Sequence, residues 1–214
     1  RANITVVKYN DHNGNGGKDE GDETLGDTGV EDEIEATRWE IHLVGTDVNA
    51  YQWTGAQVQG QVTFSDLLPN SFTLSEQIKP GWDQTNIACG EEAGIDDDNN
   101  HPITLAAGQD LTCYVGNQGR GDVTVYKNVD TDNDGTVDVF NSDDWLYELN
   151  TADHTMGTTT NIAAGSYILD EFQNDGYHFV SLFCDEVDQE GAQTTVNVGP
   201  GSDIECTYTN ARDT

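Results

Sequence analysis

Apolar and polar residues alternate in short runs along most of this chain. The clearest runs are TRWEIHLVG (37–45), QVTFSDL (61–67), SFTLSEQI (71–78), DLTCYVG (110–116), WLYELN (145–150), SYILDEF (166–172), TTVNV (194–198) and IECTYTN (204–210). A side-chain period of two sends every second residue to the same face, so each run reads as a half-buried β-strand. Clusters of Gly, Asn and Asp separate the runs and supply turns. No stretch holds a helical period for three turns, although EDEIEATRWEIH (31–42) admits a short helix. Short strands at this spacing predict antiparallel β-sandwiches.

The pattern occurs twice. ITVVKYND (4–11) matches VTVYKNVD (123–130), with Lys8 and Lys127 closing a strand and Asp11 and Asp130 three residues on. VTFSDLLPNSFTLSE ends at Glu76 and MGTTTNIAAGSYILDE at Glu171; Gly81-Trp82 and Gly176-Tyr177 follow at equal offsets. Cys89 and Cys184 come eight residues after those glycines, and LTCYVGN and IECTYTN end at Asn117 and Asn210. So many shared offsets define a duplication, with modules at 1–118 and 119–214 joined through Gln118-Gly119-Arg120-Gly121. Trp39, Trp82, Trp145 and Tyr177 recur at comparable positions and read as core. Arg120-Gly121-Asp122 spells an integrin-type tripeptide, but three residues at a junction are a weak signal.

Charge narrows the function. Forty Asp and Glu against eight Lys and Arg give a net charge of -32. Such a field repels nucleic acid and anionic membranes and attracts cations; adaptation to a salty medium would produce the same bias. No apolar run approaches the ~20 residues of a membrane span, and no basic-then-apolar leader stands at Arg1, so an exported form would be a mature one. The four Cys form no C-x-x-C pair, which argues against zinc and for two disulfides in an oxidising compartment. No nucleophile or H-E-x-x-H motif appears, and the chain reads as a non-enzyme.

The order strand-Lys, then Y/F-x-L-x-E, then a terminal Y/F-x-x-N resembles the Cna-B type, prealbumin-like (SdrD B-like) modules of bacterial surface proteins and pilins, twice over and across essentially the whole chain. The resemblance implies an immunoglobulin-like sandwich and, in each module, a spontaneous isopeptide bond from Lys to Asn assisted by the acid. Lys8 would join Asn117 beside Glu76, and Lys127 would join Asn210 beside Glu171. The residue types suit that chemistry: a buried amine loses its proton more easily, and a buried carboxyl keeps its own. Only four Lys exist, and two fall on equivalent strand positions, which argues for a specific use. In the same frame Cys89 would bond Cys113 and Cys184 would bond Cys206; pairing across modules is possible but breaks the repeat.

An acidic, Gly-punctuated loop follows each Lys strand. From Asp130 it reads DTDNDGTVD, with oxygen ligands expected from Asp130, Asp132, Asp134, the Thr136 carbonyl and Asp138, and Asn141 at position twelve, where Asp143 or Asp144 can substitute. This is the spacing of EF-hand-like calcium loops. From Asp11 the same offsets carry Asn13, Asn15, the Gly17 carbonyl, Asp19 and Asp22, with Gly16 at the turn.

Together these features predict a structural subunit of an extracellular fibre, pilus-like filament or surface stalk, self-associating head to tail. The alternative is an adhesin that binds a host or matrix ligand through its loops.

Overall fold

The computed structural model describes residues 1–19, 38–55, 60–90, 98–140, 145–185 and 187–214. Two compact units divide the chain, Arg1–Gln118 and Gly119–Thr214. The first contains β1 (Ala2–Asn10), β2 (Glu40–Gly45), β3 (Val48–Trp53), β4 (Gln61–Leu67), β5 (Asn70–Glu76), β6 (Trp82–Cys89), β7 (His101–Leu105) and the opening part of β8 (Asp110–Asp130). The second takes the rest of β8, then β9 (Leu146–Leu149), β10 (Ala152–Thr155), β11 (Thr159–Ala163), β12 (Gly165–Glu171), β13 (Tyr177–Cys184), β14 (Val187–Gln189), β15 (Gln193–Val198) and β16 (Asp203–Arg212).

The first unit stacks a sheet ordered β4-β1-β8-β6 on one ordered β3-β2-β5-β7. The second stacks β11-β8-β16-β13-β14 on β10-β9-β12-β15. Strand for strand these orders coincide, with β14 as the only addition among the described residues, so the repeated sequence builds one all-β, prealbumin-like sandwich twice. Each unit has its own core. In the first, Ile4, Val6, Ile41, Leu43, Leu74, Ile87 and Val115 close together; in the second, Val123, Val125, Tyr147, Leu149, Leu169, Leu182 and Tyr208 do so.

Antiparallel pairing holds at every registered strand pair except one in each unit. β1 runs parallel to β8, with Lys8 opposite Val115 and Asn10 opposite Asn117. β8 runs parallel to β16, with Lys127 opposite Tyr208 and Val129 opposite Asn210. Each Asn thus lies two residues beyond its Lys's register partner, and the period of two sends both side chains to the core face. Disulfides join Cys89 to Cys113 and Cys184 to Cys206, each within its own unit.

The structure settles three points left by the sequence, the second as the sequence reading had it. Gln118–Gly121, read as a linker, is strand within β8. Arg120 and Asp122 pair across to β11, where both bond the Asn161 side chain, so the tripeptide is a strand segment and not a presented loop. The helix admitted at 31–42 meets strand at its described end, from Glu40 onward, and 31–37 lie outside the described residues.

Candidate functional site

The first unit buries its lysine, glutamate and asparagine together. Lys8 and Asn117 are 0% exposed, facing the interior from adjacent parallel strands. Glu76, at the end of β5, faces them from the opposite sheet. Lys8 Nζ donates to Asn117 Oδ1 at 2.6 Å and to the Val115 carbonyl at 3.2 Å, and Glu76 Oε2 stands 3.5 Å away. Burial draws the Lys8 pKa down from 10.5 to about 8 against the pull of Glu76, and Lys79 adds to the lowering. Burial also raises the Glu76 carboxyl, opposed by Lys8 and the Asn117 amide.

The second unit places the same residues with a different hydrogen-bond partner. Lys127 Nζ donates to Glu171 Oε2 at 2.6 Å, with both side chains almost fully buried. Asn210 is also 0% exposed, and neither its Oδ1 nor its Nδ2 meets a hydrogen-bond partner among the described residues. An amide left unpaired in a core costs about 1–3 kcal/mol, so folding alone gives no reason to keep it there. Burial holds Lys127 at about 8 as well, against the hydrogen bond and charge of Glu171.

Aromatic rings wall both amines. Trp39, immediately before β2, sets its ring centre 4.3 Å from Lys8 Nζ; Trp145, immediately before β9, does the same at 4.2 Å from Lys127 Nζ. Trp82 packs edge-on against Trp39 at 5.4 Å, and Tyr177 against Trp145 at 5.5 Å. These four residues read as core in the sequence; Trp39 and Trp145 are buried, while Trp82 and Tyr177 are only partly so. Their second role, shielding the amine from water, escaped the sequence reading. Part of the signal was available: Trp82 and Tyr177 each stand six residues past the Glu of their module.

What the arrangement can do chemically follows. A neutral amine beside an amide oxygen, with a protonatable carboxyl at hand in a buried setting, suits attack on the amide carbon.

The loops after the two Lys strands share a backbone path. Gly16 and Gly135 take φ of +76° and +88°, values that side chains with a Cβ rarely adopt. Asp11, fully buried, accepts from the Asn15 and Gly16 amides, and Asp130 from those of Asn133 and Gly135. In the second loop Asp130, Asp132 and Asp138 bring carboxylate oxygens within 4.8 Å of one another, a group that can hold a metal ion. Asp134 instead accepts from the Thr136 amide at 2.8 Å. In the first loop the Asn13 and Asn15 amides both bond Asp19, at 2.9 and 2.7 Å. There the Gly16 carbonyl turns inward to Tyr9 and Asn86. Asp22 and Asn141, expected at position twelve, lie outside the described residues, as do Asp143 and Asp144.

No helix among the described residues is long and apolar enough to cross a membrane. Two sandwiches with the same strand order, each enclosing a lysine, an acid and an asparagine, define a tandem of prealbumin-like structural modules. The chain belongs to the prealbumin-like fold domain family, which matches residues 1–115 and 119–208. That family is structural, not enzymatic.

Among solved structures, the TIE protein of Bacillus anthracis matches at 12% identity over 98% of this chain and 34% of that one, with a TM-score of 0.48. A minor pilin of Streptococcus agalactiae matches at 12% over 100% and 97%, TM-score 0.31. The shaft pilin of Lactobacillus rhamnosus GG matches at 10% over 99% and 98%, TM-score 0.33. This chain spans about a third of the length of the first. Likeness at these values transfers no function. No curated protein matches the chain.

Proposed function

We propose that this chain is a structural component of an extracellular fibre, pilus-like filament or surface stalk whose modules each lock themselves with a Lys–Asn amide bond. The single observation that carries this reading is a fully buried lysine, held 2.6 Å from the side-chain oxygen of an equally buried asparagine and 3.5 Å from a buried glutamate. A buried charge is costly and selection removes it readily, yet the motif stands at equivalent positions in both modules. The Lys8–Asn117 and Lys127–Asn210 bonds each form once, so the protein modifies itself and does not turn over.

Calcium completes the reading. Asp130, Asp132, Asp134, Asp138 and the Thr136 carbonyl supply five oxygen donors of the kind a hard cation of six to eight ligands takes. The first loop offers Asp11, Asn13, Asn15, Asp19 and the Gly17 carbonyl, with less charge and so weaker affinity. Tandem modules of this kind suit self-association into a filament.

Intact mass of the denatured, reduced, chelated protein tests the crosslinks. Two bonds remove two ammonias, a deficit of ~34 Da, and one bond removes ~17 Da. An unchanged mass overturns the crosslinking proposal. Sedimentation with calcium present tests assembly: monomer at every concentration refutes self-association.

A further inference from the structure

Two ammonium groups share one ring in the first module. Lys79, in the turn after β5, sets its Nζ 5.1 Å from the centre of the Trp39 ring, whose centre is 4.3 Å from Lys8 Nζ. The two nitrogens therefore lie within about 10 Å of each other, across a 2% exposed indole that keeps water from screening them. The duplication supplies a comparison inside the same chain. Lys79 stands three residues past Glu76, and the residue three past Glu171 is Asn174, which carries no charge. A chain with four lysines has thus kept a third one beside one of its two buried amines.

We propose that Lys79 is a positioning residue for the crosslink of the first module: its charge, acting on the Lys8–Glu76 pair, sets the pH range in which the bond forms. This rests on the crosslinking reading above. In that reaction the neutral Lys8 amine adds its electron pair to Cγ of Asn117, the Cγ–Nδ2 bond breaks, and Glu76 passes a proton from Nζ to the departing nitrogen. The products are one secondary amide and one ammonia.

The reactive state, neutral amine with protonated acid, contains one proton and is most populated between the two macroscopic pKa values of the pair. A nearby positive charge lowers both, since it disfavours the ammonium and favours the carboxylate. Lys79 does lower Lys8 and oppose the rise of Glu76. Among the described residues, the charged groups facing Lys8 are Glu76 from β5 and Lys79. β8 contributes the neutral Val115 carbonyl and Asn117 amide, and Trp39 and Trp82 contribute rings. Glu40, which bonds His42, lines the cleft that Lys79 borders.

Removing the charge moves both limbs of the rate–pH profile to higher pH, by about half to one pH unit for a charge within about 10 Å. The test uses the full chain recovered uncrosslinked from denaturant and refolded in a glutathione redox buffer at pH 5 to 10. Mass is followed over time, and peptide mapping assigns each ~17 Da loss to its module. Lys79→Gln should shift the first module's profile to higher pH and leave the second module's in place. Lys79→Arg, which keeps the charge, should restore the wild-type profile. A Lys79→Gln profile that falls in rate without moving, or coincides with wild type, overturns the inference alone; so does an equal shift in Lys79→Arg. A wild-type chain that never loses ammonia from the first module overturns the parent reading as well.

Discussion

Replacing Asn117 by Ala removes the electrophile and leaves Lys8 a buried, titratable amine with Glu76 3.5 Å away. Its folded pKa of about 8 stands below the ordinary 10.5. Between those values the unfolded chain binds more protons than the folded one, so stability rises with pH across the window. The penalty is fully present below pH 8 and gone above 10.5. That gap is worth about 3 kcal/mol, most of which returns between pH 7 and pH 10. Guanidinium denaturation of Asn117→Ala and of Asn117→Ala/Lys8→Met over that range compares the buried amine with a neutral replacement; groups that do not touch Lys8 cancel in the difference, and Glu76, which does, is followed separately in Glu76→Gln versions of both variants. The double variant should lose its advantage as pH rises. A crosslinked Lys8 is an amide nitrogen and contributes no such slope. A difference that stays constant from pH 7 to 10 refutes the claim that burial depresses this amine.

Trp145→Ala should slow ammonia loss from the second module and destabilise it by ~3–5 kcal/mol, since it removes both the ring over Lys127 and a buried indole; timed mass spectra and denaturation check each part. Chelation should lower the melting temperature, and Asp132→Asn with Asp138→Asn should remove most of the calcium heat assigned to the second loop in a calorimetric titration. Gly116→Ala should destabilise the first module by ~1–3 kcal/mol, because a Cβ there would sit 2.5 Å from the buried Tyr9 ring; thermal melts measure the loss.

The strand runs, the duplication and the Lys, Glu and Asn positions were legible because alternation is local and the repeat fixes offsets. Strands such as β6 were not. Its burial pattern breaks alternation, with Asn86 and Ile87 both buried, so WDQTNIAC shows no clean period. The parallel pairing of β1 with β8 was also out of reach, since nothing in either run encodes its distant neighbour. The rings over the amines belong to the same class of fact. Trp39 and Lys8 lie on different strands' ends, and only the closed sandwich brings them to 4.3 Å. The place of Lys79 beside the same ring was out of reach for the same reason. For the loops, spacing announced the ligand set, and the fold adds that Asp130, Asp132 and Asp138 converge while Asp134 turns to Thr136.

The placement of the proposed bonds bears on what a fibre needs. Lys8 and Asn117 lie on the first and last strands of their module, 109 residues apart. An amide between them bypasses everything from β2 to β7, so tension entering along β1 leaves along β8 without crossing the core. The disulfides sit elsewhere: Cys89–Cys113 ties β6 to β8 and Cys184–Cys206 ties β13 to β16, each inside one sheet. They secure the last strand to its other neighbour and leave the first strand untouched. The acidic loop leaves β1 at Asp11, whose amide donates to the Asn117 carbonyl at 2.9 Å, and so fixes the end of the strand that carries Lys8. Hydrophobic burial alone would have to hold these modules against the self-repulsion of a net charge of -32. Covalent closure of the terminal strands is indifferent to that field, whereas cation binding relieves it directly. A chain this acidic, if placed under load, would therefore gain most from the two kinds of bond proposed for its repeated motifs.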